Sequence, residues 1–220
     1  MAQVDGFPVT TLERTAIDLS RCLTFERAVA VLDAALHLRA DLDLMAGILR
    51  AAAGRHGVAT GRAALESADG RSESVAESVS RVRMAEAGLP VPELQLHVFD
   101  DYGTWLARCD FGWEELGVLG EVDGRLKYTG TPDEVSRAVM REKQREARLR
   151  ELGWVVVRWD WDHLDDPSLL RRRIEAAFAQ ARPETVRGHV EASPKTPPPL
   201  PLPKRALAPD LSAARARSGS

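Results

Sequence analysis

Four carboxylates, Glu77, Asp110, Glu121 and Asp123, have the types and the order along the chain to do chemistry together. Acids gathered at one point repel one another, so a fold tolerates such a group when a hard cation neutralises it, and magnesium or manganese suits oxygen donors. Glu121 stands out because it follows the apolar run Val118-Leu119-Gly120, where a charge needs a reason to be. Period-two geometry puts Glu121 and Asp123 on one face of their strand, and a hairpin returns that strand beside Asp110. The competing reading is that each acid is solvated at a strand end, since the chain carries 33 Asp and Glu.

Cationic side chains show a second pattern. Arg137, Arg141, Arg145 and Arg148 recur at steps of four, four and three, which aligns them along one helix face. Such a stripe binds phosphates locally even though the chain has a formal charge of -3. The alternative is a solvated face paired to Glu142, Glu146 and Glu151. The five histidines show no metal spacing, although His97 sits on a predicted strand and could face the acids. Two cysteines, Cys22 and Cys109, fit neither a disulfide framework nor a zinc ribbon, and Cys109 reads as core. Trp154 and Trp159 read as packing rather than stacking platforms. Gly120-x-x-x-Gly124 lacks the Lys-Ser/Thr of a phosphate loop, so nucleotide hydrolysis has no support.

The elements that must position these groups follow from composition and periodicity. The chain has 220 residues, 44% hydrophobic and 29% charged, which suits a soluble fold with a full core. Apolar residues recur at helical spacing from Thr10 to about Ala68, with Thr10-Thr11-Leu12-Glu13 and Asp41 as opening caps. Ser72 to Ala87 predicts a helix stopped by Gly88, Pro90 and Pro92. Leu94 to Phe99, Trp105 to Phe111 and Val118 to Val122 then predict strands, with a turn at Asp100-Asp101-Tyr102-Gly103. A helix from Glu134 to Leu152, a buried strand Trp154 to Trp159 and a helix from Pro167 to Ala181 complete an α-β-β-β-α-β-α order, giving a mixed sheet with a crossover helix. Of 13 prolines, eight lie from Pro183 onward, which predicts an extended, disordered tail open to a proline-recognising protein partner.

Several motifs together resemble a known group. Ser74-Val-Ala-Glu77-Ser78-x-x-Arg81, Gly88-Leu-Pro90-x-Pro92-Glu93-x-Gln95, Arg108-Cys-Asp110-Phe111, Glu121-Val-Asp123-Gly124, Glu142-x-x-Arg145-x-x-x-Leu149-x-x-x-Gly153-Trp154 and Arg158 are similar to bacterial, especially actinobacterial, proteins with a very-short-patch-repair-like endonuclease domain of the PD-(D/E)XK superfamily. The resemblance covers about 71–161. Thr10-Thr-Leu-Glu-Arg14-Thr15-Ala-x-Asp18-Leu19 resembles the middle region of the same proteins, some of them antitoxin-like (AbiEi-type) regulators that carry a winged helix upstream, for which this chain begins too late. The resemblance implies a divalent-metal endonuclease acting on DNA: Asp110 and Glu121 as ligands of magnesium or manganese, Glu77 as a further ligand or water-holder, and metal-activated water attacking a phosphodiester. Asp123 falls where the superfamily has lysine, and Lys127 falls where relatives often have histidine; Lys127 either orients water or contacts a phosphate, or is a solvated turn residue.

The expectation is therefore an α/β protein: a helical N-terminal region (1–70), a PD-(D/E)XK restriction-endonuclease-like α-β-β-β-α-β core with a mixed sheet (71–182), and a disordered proline-rich tail (183–220). Expected catalytic residues are Glu77, Asp110, Glu121, Asp123 and Lys127, with Arg141, Arg145 and Arg148 on DNA. The alternative is a non-catalytic, antitoxin-like or DNA-binding regulator on the same scaffold. The start Met1 to Pro8 has no basic region ahead of an apolar stretch, and no run approaches ~18 apolar residues, so a cytoplasmic chain with no membrane contact is expected.

Overall fold

The structure, a computed structural model, describes residues 2–4, 6–123 and 131–194. Gly124, Lys127 and the part of the expected tail from 195 onward lie outside the described residues.

Helix α1 (Leu12–Ser20) is capped by Thr11, whose hydroxyl accepts the Arg14 N–H, and α3 (Leu42–Ala51) by Asp41, which accepts the Leu44 N–H. With α2 (Phe25–His37) and α4 (Val58–Ser67), they enclose Ile17, Val29, Leu32, Met45 and Leu49. Gly57 opens α4 at φ 73°, and a Cβ there would lie 1.8 Å from the Arg21 carbonyl oxygen, so only glycine fits. One feature departs from the all-helical expectation for this region: a hairpin of β1 (Ala2–Val4) and β2 (Phe7–Val9) precedes the helices. It turns at Gly6, and three residues per strand are too few to show an alternation in the sequence.

Helix α5 (Val75–Glu86) belongs to two cores. Val82 packs among the N-terminal helices, while Ala76, Val79 and Met84 pack on the sheet. The contact is pinned by Arg81, which donates to Asp33 at 2.8 Å. Strands β3 (Glu93–Phe99), β4 (Trp105–Trp113) and β5 (Val118–Val122) form an antiparallel meander. Helix α6 (Pro132–Glu151), opened by a Thr131/Glu134 capping box, crosses over to β6 (Val155–Trp159), which lies parallel to β5. The five-strand mixed sheet runs β6-β5-β4-β3-β7. On one side Phe111 and Trp159 pack with α5 and α8 (Pro167–Gln180); on the other Leu96, Val98, Leu119 and Trp154 pack with α6 through Leu149. Between β6 and α8 lies a short helix, α7 (Trp161–Asp165).

The fifth strand corrects the tail expectation. Residues 183–194 are ordered: one 3₁₀ turn at Pro183–Thr185, then β7 (His189–Ala192) along the outer edge of β3. Gly188 makes the approach possible, since a Cβ there would fall 2.1 Å from the Phe99 carbonyl oxygen. Its N–H donates to Asp101 at 2.9 Å, and the His189 ring stacks on Phe99 with centroids 4.8 Å apart. The proline density belongs to 194 and beyond, whereas 184–193 holds no proline and meets an edge with unpaired backbone groups.

Candidate functional site

Strands β4 and β5 pair only over Phe111–Trp113 against Val118–Gly120, while β4 continues back to Trp105 beside β3. Asp110 and Glu121 are the next pair in that register, so they stand at the fork where the two strands part. The fork opens into a cleft of about 520 Å³ lined by His97, Trp105, Arg108, Asp110, Glu121, Glu142 and Arg145. The structure thus brings together two of the four acids singled out in the sequence. Asp123 lies just past the end of β5, half-buried, with its N–H donating to the Trp159 carbonyl at 2.7 Å. It is not among the lining residues, and neither is Glu77.

Glu121 is 7% exposed and held by two guanidinium groups. Arg145 reaches Oε1 at 2.7 Å from α6, and Arg158 reaches Oε2 at 2.9 Å from β6, its direct partner across the parallel pair. Glu142 bridges both arginines, with Arg158 at 2.6 Å, and Glu146 pairs with Arg158 and Arg150. Burial pulls the Arg145 guanidinium down, but the hydrogen bonds and charges of Glu142 and Glu121 outweigh it and leave the group above its ordinary value. Arg145 is therefore turned into the fold, unlike Arg137, Arg141 and Arg148, which are exposed on α6.

Glu77 has a different role. It occupies the third position of α5, where its Oε2 accepts the Glu73 N–H and the Gln95 side-chain amide, both at 2.8 Å, and its Oε1 accepts the Ser74 hydroxyl at 2.7 Å. Burial pushes its carboxyl above the ordinary 4.5, with the Glu73, Ser74 and Gln95 donors opposing. Gln95 sits opposite Asp110 in the β3–β4 register, at φ 54°, and is 2% exposed. Its Oε1 meets no donor among the described residues. Gln95 is thus the residue that links Glu77 to the strand row of Asp110 and Glu121. Sequence reasoning gave it no role, because nothing in the composition marks a left-handed residue inside a strand.

The oxygens a divalent cation would need are already engaged: both of Glu121 by arginines, both of Glu77 by neutral donors, and Asp110 Oδ2 by the Val122 N–H at 3.0 Å. Among the described residues no group of three or more His, Cys, Asp or Glu side chains is arranged to hold a metal ion. As placed, these side chains do not fit magnesium or manganese.

His97 and Trp105 complete the cleft. The Trp105 Nε1–H donates to His97 Nδ1 at 3.1 Å, His97 Nε2 lies 3.1 Å from the Ser193 hydroxyl, and that hydroxyl donates to the Gln95 carbonyl at 2.9 Å. Indole nitrogen only donates, so Nδ1 accepts and the histidine proton lies on Nε2. Arg108 forms a two-bond pair with Glu73 at 2.7 and 2.8 Å. Cys109, fully buried behind the cleft, has its thiol pushed up to about 12 by burial and by the nearby Glu121 charge. Trp154 and Trp159 are 3% and 1% exposed and pack in the core, in line with the sequence reading.

Over 184 residues the chain is 34% identical to two uncharacterized proteins of Mycobacterium tuberculosis, one from each of two strains. The matched region is 83% of this chain and 66% of those proteins, so the chain spans just under two thirds of their length. No protein-family model matches the chain, and no solved structure matches it. Among the described residues no helix is long and apolar enough to cross a membrane.

Proposed function

We propose that this protein binds DNA on a nuclease-like α/β core without cleaving it, arginine cations neutralising the acid at the strand fork. The observation that carries this is the Arg145–Glu121–Arg158 bridge. The sequence gives Glu121 a reason to be buried only if a cation faces it, and two guanidinium groups supply that cation from within the chain. The exposed Arg137, Arg141 and Arg148 on α6 offer charge-assisted contacts to phosphates next to the cleft. This is the regulatory, antitoxin-like alternative of the family resemblance.

A second reading, a metal-dependent endonuclease hydrolysing phosphodiester bonds in repair or defence, is favoured by one observation: Asp110 and Glu121 face the same open cleft. One experiment separates the two. Purified protein is incubated with supercoiled and single-stranded DNA in magnesium, manganese or EDTA, beside an Asp110→Ala/Glu121→Ala double variant. Retarded but intact DNA in all three conditions supports binding alone. Metal-dependent nicking that the double variant loses establishes the nuclease.

A further inference from the structure

Of the five tryptophans, Trp105 is the exposed one, at 54%; Trp113, Trp154 and Trp159 are buried and Trp161 is half-buried. It stands on the wall of the cleft that holds Asp110 and Glu121, at the first residue of β4. A large indole left more than half exposed at a polar cleft keeps in water apolar surface that a core would otherwise take. Its ring is also held in place: the single polar atom is used on His97, which is fixed in turn by Ser193 and the Gln95 carbonyl. With that atom engaged, what Trp105 leaves exposed is apolar aromatic surface, on a ring tied through β3 to the residue that follows β7. Within the cleft Arg108 is paired with Glu73 and Arg145 with Glu121 and Glu142, so the cations offered to an anionic ligand are the exposed Arg141 and Arg148 of α6, with Arg148 near the Asp100 carboxylate at the turn that precedes Trp105. A flat aromatic ligand tied to anionic groups meets both features.

We propose that Trp105 is a stacking platform for an unpaired nucleobase, so that the cleft takes a single-stranded or frayed DNA end. The inference rests on the DNA-binding reading above. Stacking of a base on an aromatic ring tolerates any sequence, because every base has a π face, and Watson–Crick pairing denies the ring access. Binding should thus favour single strands over duplex without strong sequence preference. His97 and Ser193 act as positioning residues, holding the indole edge and touching no ligand. The β7 segment that carries Ser193 gains a purpose here, since it supplies the last link of the chain that fixes the ring.

The test uses the full chain in EDTA, with fluorescence anisotropy on a labelled single-stranded 12-mer, the same 12-mer with abasic sites throughout, and a blunt duplex. Acrylamide quenching in the same samples reports on the exposed indole. Trp105→Ala should weaken the base-bearing single strand by about 10-fold and Trp105→Phe by about 3-fold. Neither should alter binding of the abasic strand, which Arg141→Ala/Arg148→Ala should weaken as much as the base-bearing one. Equal losses on base-bearing and abasic strands, or no loss in either Trp105 variant, would overturn the proposal, as would unimpaired quenching in the bound state. Trp105→Phe keeps the test open should the alanine variant melt early. If the wild type binds none of the three probes, the DNA-binding reading itself fails; if it binds but ignores Trp105, only the platform does.

Discussion

Two glutamates of this protein are buried to the same degree and are stabilised in opposite ways. Glu77 and Glu121 are each 7% exposed. Glu121 is met by full charges, Arg145 and Arg158, within a cluster that extends to Glu142 and Glu146. Glu77 is met by neutral donors from Glu73, Ser74 and Gln95 at a helix N-terminus. Charges compensate a buried carboxylate strongly but leave two half-buried cations behind if it is lost. Neutral donors compensate it partly, which is why burial lifts the Glu77 carboxyl above its ordinary value. A buried acid near a second one is therefore no sufficient sign of a metal ligand, since this chain supplies two other ways to keep one.

The largest expected effect comes from breaking the charged side. Glu121→Gln leaves Arg145 and Arg158 without their central partner and should lower the unfolding free energy by about 3 kcal/mol, read from urea titration. A loss below about 1 kcal/mol would mean that Glu142 and Glu146 suffice to neutralise the arginines. Replacing Glu121, Arg145 and Arg158 together with methionine or leucine should recover most of that loss, because an ion cluster removed whole leaves no orphan charge. Recovery would show that the cluster is kept for function rather than stability.

On the neutral side, Glu77→Gln should cost only about 1 kcal/mol near neutral pH. The Gln95 amide can turn and present its unpartnered Oε1 to the new amide donor. The pH dependence has a definite sign. Because the folded-state value of Glu77 lies above 4.5, its contribution is full below that value and is lost as pH rises through the folded one. The deficit of Glu77→Gln should thus be widest in acid and narrow toward neutrality; a deficit that widens as pH rises would contradict the raised value. The smallest effect concerns Cys109, whose thiol is buried and pushed up beside Glu121, whereas Cys22 is exposed. A maleimide at neutral pH should label one thiol per native molecule and two in denaturant.

Much of the scaffold was legible in the chain. The caps at Thr11 and Asp41, the stop at Gly88, the meander of three strands and the crossover helix all rest on local preferences that the tertiary structure keeps. The candidate site was legible in part. Asp110 and Glu121 meet because period-two alternation and one hairpin bring them together. Glu77 left the group, because a residue three positions past a serine cap serves the helix end before anything else. Arg145 shares a stripe with Arg141 and Arg148, yet only its side chain reaches Glu121, and a helical wheel does not say which residue of a stripe meets the sheet. Trp105 carried no signal, since a tryptophan at a strand start reads as core until its neighbours are known.

The sequence by itself determined the order of elements, the parallel β5–β6 pair implied by its crossover, and the presence of acids and arginines at the strand ends. These depend on short-range spacing and on the hydrophobic pattern. Only the tertiary structure decided that β7 closes the sheet, that Gln95 turns left-handed opposite Asp110, that two arginines rather than a third acid face Glu121, and that one tryptophan remains in water. Each of these joins residues tens of positions apart, and their partners are chosen by packing and charge compensation across the assembled fold rather than by any local preference.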